Sequence, residues 1–375
     1  MKIMYVCGMY VPSHGGAEIS MYSLLKNLKN KFGWEILVIT DNRYEKTKDI
    51  ESFNELKIHT TSHENREETI EKKIIEFRPD VIITQLMWGD VALRLSNKHL
   101  IPSIMRVCKV PIEISLVKGS PYAPTAIIST SKFVKEYVLR NWGRKSKIIK
   151  PLVDIDDYLV KKEEFHPFKN ELIFMFNPLK RKGGLIFKEI ADCLPDLKFG
   201  TVLGWSSLKG KYGSNTFSKE YIRRITESEG SVFDGFLPEY VNINDCKNIR
   251  VFPPENDPKK LYEKIKILLV PSQWEEAFGR VAVEAMANGI PVVASNVAGL
   301  RDSVGDGGIL IEKDNLSKWV DEIRRLFSDK DYFHIISKRE KDFVKRNYSE
   351  EDILKETAEM IKCAVSKSRT LSFNL

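Results

Sequence analysis

The segment Pro271-Ser272-Gln273-Trp274-Glu275-Glu276-Ala277-Phe278-Gly279-Arg280-Val281-Ala282-Val283-Glu284-Ala285-Met286-Ala287 carries the strongest fold signal in the chain. An aliphatic run at 266–270 precedes it and reads as a strand. After Gly279 the apolar residues recur at helical spacing. The segment is therefore a strand, a loop and a helix. In an open parallel sheet, ligands sit outside the carboxyl ends of the strands, so this loop is a place for chemistry. Glu276 lies in the loop. Gly279 lets the backbone come close to a ligand. The helix begins at Gly279 or Arg280, and its first free N–H groups make an anion site. Glu284, a little over one turn further on, can reach a pair of hydroxyls, as acidic residues do with ribose in dinucleotide sites. Two glutamates at this spacing alone would suit an ordinary surface helix. The surrounding string, through Gly289-Ile290-Pro291-Val292-Val293-Ala294, is what favours a site.

The same alternation extends in both directions. Strands are expected at 2–7, 35–40, 80–84, 101–107, 126–129 and 147–149, with helices at 19–32 and 69–77. Residues 154–170 are charged, contain Pro167, and read as an interdomain connection. The pattern then restarts with strands at 171–176, 198–203 (ending at Gly204), 248–252, 266–270, 291–294 and 308–311, and a helix at 185–194. The tail 315–366 is helical, with breaks near Asp329 and Tyr348. Repeated strand–helix units argue for parallel sheets covered on both faces. The expectation is an α/β protein of two Rossmann-like domains whose parallel sheets face a central cleft. Residues 1–155 form the first domain, 156–345 the second, and 346–375 a terminal helix.

Composition narrows the class. At about 150 residues per domain, 375 residues allow two or three domains, and the strand count favours two. No apolar run is long enough to span a membrane, and the amino terminus lacks a signal-peptide pattern, so a cytoplasmic location is expected. The five cysteines are scattered without metal-ligand spacing, which argues against a disulfide framework and a zinc site. The net charge of +7 suits a solvated surface, anionic substrates or an acidic membrane surface. No nucleic-acid-binding motif accompanies it, so nucleic acid is not an expected partner.

With these residues in view, the chain resembles the retaining glycosyltransferases of family four, which have the two-domain B-type fold. The resemblance covers nearly the whole chain and is strongest at 270–311 and at Gly15-Gly16-Ala17-Glu18. It implies a nucleotide diphosphate-sugar donor, no cofactor and no metal, and a carbohydrate, lipid-linked or small-molecule acceptor. It implies that Glu276 contacts the donor sugar and Glu284 the ribose. Main-chain N–H groups near Arg280 and Val281 would hold the diphosphate, with Phe278 and Gly279 in the same turn. Gly15 and Gly16 would approach the donor phosphate. Gly299 and Asp302 match a Gly-x-x-Glu stretch only loosely, and a plain loop is an equal reading. The terminal helix would cross back to the first domain.

Lys180-Arg181-Lys182-Gly183-Gly184 also lies between a strand and a helix. A lysine there can neutralise charge on a departing diphosphate. Lys182 matches the family lysine. The family's Gly-Arg is absent, with Asn177-Pro178 in its place, so Arg181 or Lys180 would substitute, or one cation would serve. The alternative is a solvated charge run.

The histidine that family members carry after the strand at 101–107 is also absent; the position falls near Cys108, beside Arg106. Arg106 is a candidate for holding a phosphate or an acidic acceptor. Trp88 is a candidate for stacking on an acceptor, against the plainer reading of a partly buried loop aromatic. His14 reads as a surface loop residue, and Asp156-Asp157 as a turn, not a metal motif. Base recognition is expected near Arg250-Val251-Phe252. Lys26, Lys29 and Lys31 are either a dock for anionic lipid at the inner face of a membrane or, preferably, a solvated helix face. Two rival readings remain. The departures suit a non-catalytic donor-fold subunit. A dinucleotide oxidoreductase would need a third glycine after the first strand, which is lacking.

Overall fold

The computed structural model describes residues 1–10, 15–41, 52–53, 55–110, 122–161, 163, 165–202, 241, 243, 245–253, 255 and 257–372. His14, with Pro12 and Ser13, and the expected strand end at Leu203 and Gly204 lie outside them. The chain forms two compact units, Met1–Leu152 with Glu350–Leu375, and Val153–Ser349.

The first unit runs through β1 (Lys2–Val6), α1 (Gly16–Phe32), β2 (Glu35–Asp41), β3 (Ser52–Phe53), β4 (Leu56–Thr61), α2 (Arg66–Phe77), β5 (Val81–Thr84), α3 (Gly89–Lys98), β6 (Ser103–Val107), β7 (Ala126–Ser129), α4 (Lys132–Trp142) and β8 (Lys147–Ile148). Its strand order is β3-β4-β2-β1-β5-β6-β7-β8. All described pairs are parallel except β3–β4 at the edge, a common exception in such sheets. β5 reads Val-Ile-Ile-Thr and is buried throughout, as a strand covered on both faces must be. Ser131 opens α4 by accepting a hydrogen bond from the Val134 N–H (3.2 Å).

The second unit contains β9 (Leu172–Phe176), α5 (Gly184–Cys193), β10 (Lys198–Val202), β11 (Ile249–Phe252), α6 (Lys259–Tyr262), β12 (Ile265–Val270), α7 (Arg280–Ala287), β13 (Val292–Ser295), α8 (Leu300–Ser303), β14 (Ile309–Ile311), α9 (Leu316–Ser328) and α10 (Lys330–Asn347). Its order is β11-β10-β9-β12-β13-β14, and every described pair is parallel. One core, with Phe174, Tyr262, Leu268 and Met286, and another, with Phe187, Phe199, Trp319 and Phe333, hold the unit together. The terminal helix α11 (Glu350–Ser372) belongs to the first unit. Its Ile353, Leu354, Ala358, Ile361 and Val365 recur at helical spacing and are buried with Tyr5, Leu25 and Leu28.

Each sheet starts from an inner strand and grows outward in both directions. β1 is flanked by β2 and β5, and β9 by β10 and β12. The carboxyl ends of β1 and β5, and of β9 and β12, are therefore the switch points of the two sheets, where a ligand site is sought.

Several local features differ from the sequence expectation. α1 begins at Gly16, three residues before position 19, and α3 was not expected. α3 starts directly after Trp88, whose φ is 71°, with no side-chain cap to announce it. The units divide at 152/153 and 349/350, compared with the expected 155/156 and 345/346. Residues 154–170 look like a charged connection in sequence. Their Ile155, Tyr158, Val160, Phe165 and Phe168 nevertheless pack into the cores of the second unit. Among the described residues, no helix is long and apolar enough to cross a membrane.

Candidate active site at the sheet switch points

Three neighbouring strands of the second unit, β9, β12 and β13, send their following loops to one place. The loop after β9 makes a single 3-10 turn over Lys180–Lys182 before α5. Gly183 ends that turn at φ 89°, and a Cβ there would overlap the Pro271 carbonyl oxygen. Only glycine fits both constraints. The close approach is locked by the Gln273 N–H donating to the Arg181 carbonyl (2.9 Å). From the third loop, the Gly299 N–H donates to the Glu276 carbonyl (2.7 Å).

This convergence brings Lys182 Nζ onto Glu276 Oε1 in an ion pair, although 94 residues separate them in sequence. Ser272 Oγ donates to the same oxygen (2.9 Å). Glu276 is buried, whereas the Lys182 side chain keeps 27% of its surface. Burial alone would raise the Glu276 carboxyl, but the Lys182 ammonium and the hydrogen bonds outweigh it and hold the group below the ordinary glutamate range. Glu276 is thus an anion at neutral pH. The Trp274 ring underlies two cations, with Arg181 Cζ at 4.8 Å and Lys182 Nζ at 5.2 Å from its centroid. Sequence reasoning assigned no role to Ser272 or Trp274. Their nearness to Glu276 in the quoted segment was the available signal.

Gly279 turns the chain into α7 at φ 91°, where a Cβ would run into Leu300. Arg280 and Val281 occupy the first turn of the helix, where N–H groups and the helix dipole favour an anion. Phe278 is buried in the core behind this turn, edge-on to Tyr348. Its ring is therefore enclosed, and a donor contact at Phe278 would fall to its main chain. Glu284 lies inside α7 and is buried. Its Oε1 accepts from Arg280 Nε (2.7 Å) and its Oε2 from the Tyr262 hydroxyl (2.7 Å). Asn288 ties residues 158 and 160 to the end of the same helix. Tyr158, Tyr262 and Asn288 carried no motif by which sequence could single them out.

The first unit places its candidates differently. Gly15 and Gly16 stand at the amino end of α1, beyond β1, at that sheet's switch point. Arg106 is 3% exposed, and its guanidinium donates to Gln85 Oε1 (2.9 Å) and Ser20 Oγ (2.8 Å). It braces α1 and the loop after β5 from within, so the expected grip on an acceptor is corrected. Trp88 is 4% exposed and packs with Met4, Val6 and Ile39. A ring enclosed in this way cannot stack on a sugar, and the partly buried reading is the closer one. Glu18 is also buried, and burial raises its carboxyl despite its own backbone N–H and the Arg106 charge. Burial likewise pushes the Cys108 thiol up to about 11, so it stays protonated at neutral pH. Lys31 pairs with Glu351, and Lys29 donates to the Glu55 carbonyl, so neither is a bare dock for lipid. In the second unit, Arg250 and Phe252 line a cavity of about 540 Å³ with Lys169, Lys198 and Lys264.

Residues 242–349 match the family model for Glycosyl transferases group 1. An uncharacterized glycosyltransferase of Methanocaldococcus jannaschii is 26% identical over 368 residues, covering 92% of this chain and 94% of that protein. The capsular polysaccharide biosynthesis glycosyltransferase CapM of Staphylococcus aureus is 26% identical over 144 residues, 38% of this chain. This chain spans only 37% of the length of CapM. Among solved structures, Anabaena HepE in complex with UDP and glucose superposes with a TM-score of 0.74 at 17% identity, over 96% of this chain and 99% of that one. The Glu276 loop and the Glu284 helix lie inside the region 242–349 that matches the group 1 model, and the fold that carries it is the B-type glycosyltransferase fold.

Proposed function

We propose that the protein moves a sugar from a nucleoside diphosphate-sugar to a glycan, lipid-linked or small-molecule acceptor, with retention of configuration and without a metal ion. The observation that carries this reading is the Lys182–Glu276 pair, held over Trp274 where the loops after β9 and β12 meet. It sets a buried anion and an accessible cation side by side. Glu276 orients the donor sugar and offsets positive charge near the anomeric carbon. Lys182 and Arg181 face the diphosphate, together with the first turn of α7 at Gly279, Arg280 and Val281. Glu284 takes the ribose hydroxyls. Gly15 and Gly16, at the amino end of α1, are the proposed phosphate-loop residues of the first unit.

In the reaction, the acceptor oxygen bonds to the anomeric carbon on the face from which the diphosphate leaves. The bond from that carbon to the phosphate oxygen breaks, and the departing phosphate takes the acceptor's proton. No separate base is required. HepE carries UDP and glucose, and CapM serves capsular polysaccharide synthesis, so UDP-sugars and polysaccharide acceptors are tested first. A lipid-linked acceptor would bring the protein to the cytoplasmic face of a membrane.

A thermal-shift panel of nucleotide sugars, followed by transfer and hydrolysis assays, tests this reading. One base is expected to stabilise the protein, and Glu276→Ala to bind it without turnover. Donor binding by the unaltered protein with no turnover on any acceptor would favour the non-catalytic subunit, which a protonated thiol at Cys108 in place of a histidine suits. Stabilisation by NAD above every nucleotide sugar would overturn the reading altogether. A rate that collapses in chelator would remove the metal-free part.

A further inference from the structure

A hydrogen-bonded chain of four side chains runs beneath α7. Arg280 Nη2 donates to the Tyr158 hydroxyl (2.8 Å), Arg280 Nε donates to Glu284 Oε1 (2.7 Å), and the Tyr262 hydroxyl donates to Glu284 Oε2 (2.7 Å). All four residues are buried. The two donors therefore reach different oxygens of one carboxylate. A carboxylate offers about four acceptor positions, two on each oxygen. With one position on each oxygen taken, one remains on each. That is the arrangement needed to accept two hydroxyls from adjacent carbons. An unpinned glutamate would have to give up rotational freedom to do the same. Arg280 stays charged, because Glu284 and Tyr158 outweigh the effect of its burial. Tyr262 stays a donor, because burial and the Glu284 charge push its phenol well up.

We propose that Tyr262 and Arg280 are positioning residues that fix the Glu284 carboxylate to receive the vicinal diol of a ribose, with Tyr158 holding Arg280 in turn. This rests on the reading of Glu284 as the ribose-facing carboxylate. It makes the protein's preference for ribonucleotides over deoxyribonucleotides depend on a tyrosine that does not touch the ligand.

The test compares dissociation constants of matched ribo- and 2′-deoxyribonucleoside diphosphates, using the base that binds most tightly, for the full chain and for Tyr262→Phe, Tyr158→Phe and Glu284→Gln. In the unaltered protein the ribo form should bind roughly tenfold more tightly, the scale of one hydrogen bond to a charged group. Tyr262→Phe should cut that ratio about threefold, and Tyr158→Phe less, while affinity for inorganic pyrophosphate changes little and the protein stays folded at the assay temperature. A purely structural tyrosine would weaken ribo and deoxy forms equally, and that result would overturn the proposal. If Glu284→Gln abolishes the ratio while Tyr262→Phe leaves it intact, only the positioning role fails. If Glu284→Gln leaves the ratio intact, or the unaltered protein shows none, the reading of Glu284 fails as well.

Discussion

Trp88 and Trp274 occupy matching places in two sheets of the same plan. Each stands four residues past the end of the strand that flanks its sheet's founding strand, Trp88 after Thr84 and Trp274 after Val270. Their surroundings are opposite. Trp88 is folded inward at φ 71° because α3 begins at the next residue, and its ring fills the core beside β1 and β2. Trp274 has five further residues before α7 begins at Arg280, and its ring lies under Arg181 and Lys182. The charges follow the same division. Arg106 and Glu18 are buried inside the first unit, while Lys182 stays partly open beside the buried Glu276. A switch point alone therefore does not make a charged site. The loop after β5 reaches its helix at the residue after Trp88, whereas the loop after β12 runs on past Trp274 to Arg280, and the polar groups are enclosed in the first case and partly open in the second.

Substitutions can break this contrast. The largest effect is expected for Trp88→Ala, a loss of about 3–5 kcal/mol of stability for a large buried aromatic. Chemical denaturation would measure it, and nucleotide affinity of the folded fraction should be unchanged. A loss of nucleotide affinity with little loss of stability would put Trp88 back in the site. Glu276→Ala is expected to slow sugar transfer by roughly 10²–10³-fold, the scale of one preorganised electrostatic group. Steady-state kinetics would show it, and a change under threefold would remove Glu276 from the chemistry. Trp274→Leu should be milder. Losing the platform under two cations costs about 0.5–2 kcal/mol at the site, read as a severalfold weaker nucleoside diphosphate. Calorimetry showing unchanged affinity would make the ring a packing element like Trp88.

The smallest effect is one of sign. Glu276 is held below the ordinary glutamate value of 4.5, so its contribution to stability is full above that pH and is lost as pH falls through its folded value. Glu18 is raised above 4.5, so its ionisation is a penalty on the folded state at neutral pH, which disappears as pH falls below 4.5. Glu276→Gln should lower the urea midpoint at pH 7 and Glu18→Gln should raise it; the Glu18 gap should close as pH falls to 4.5, and the Glu276 gap only below it. Shifts of the same sign at pH 7 would erase the distinction between the two glutamates.

Much of this was legible in the chain. Strand-like runs such as 81–84 and 266–270 are apolar almost throughout, as doubly covered strands must be, and their alternation with helices announces parallel sheets. Glu276, Gly279 and Glu284 stand within one short segment, so their spacing could be read directly. α3 was hidden because an apolar run, Leu86-Met87-Trp88, leads into it without a capping side chain. Residues 154–170 misled because their many charges conceal the aromatic residues that pack inward.

The sequence by itself determined the alternating strands and helices, the two-unit plan and the loop that holds Glu276, because each depends on residues close together in the chain. Only the tertiary structure decided which charges meet and which are enclosed. Lys182 reaches Glu276 because β9 and β12 lie side by side in the sheet, although β10 and β11 intervene in sequence. Arg106 and Trp88 are enclosed because α1, α3 and the strands around them close over both. Burial and long-range pairing are properties of the packed sheet, and no local spacing encodes them.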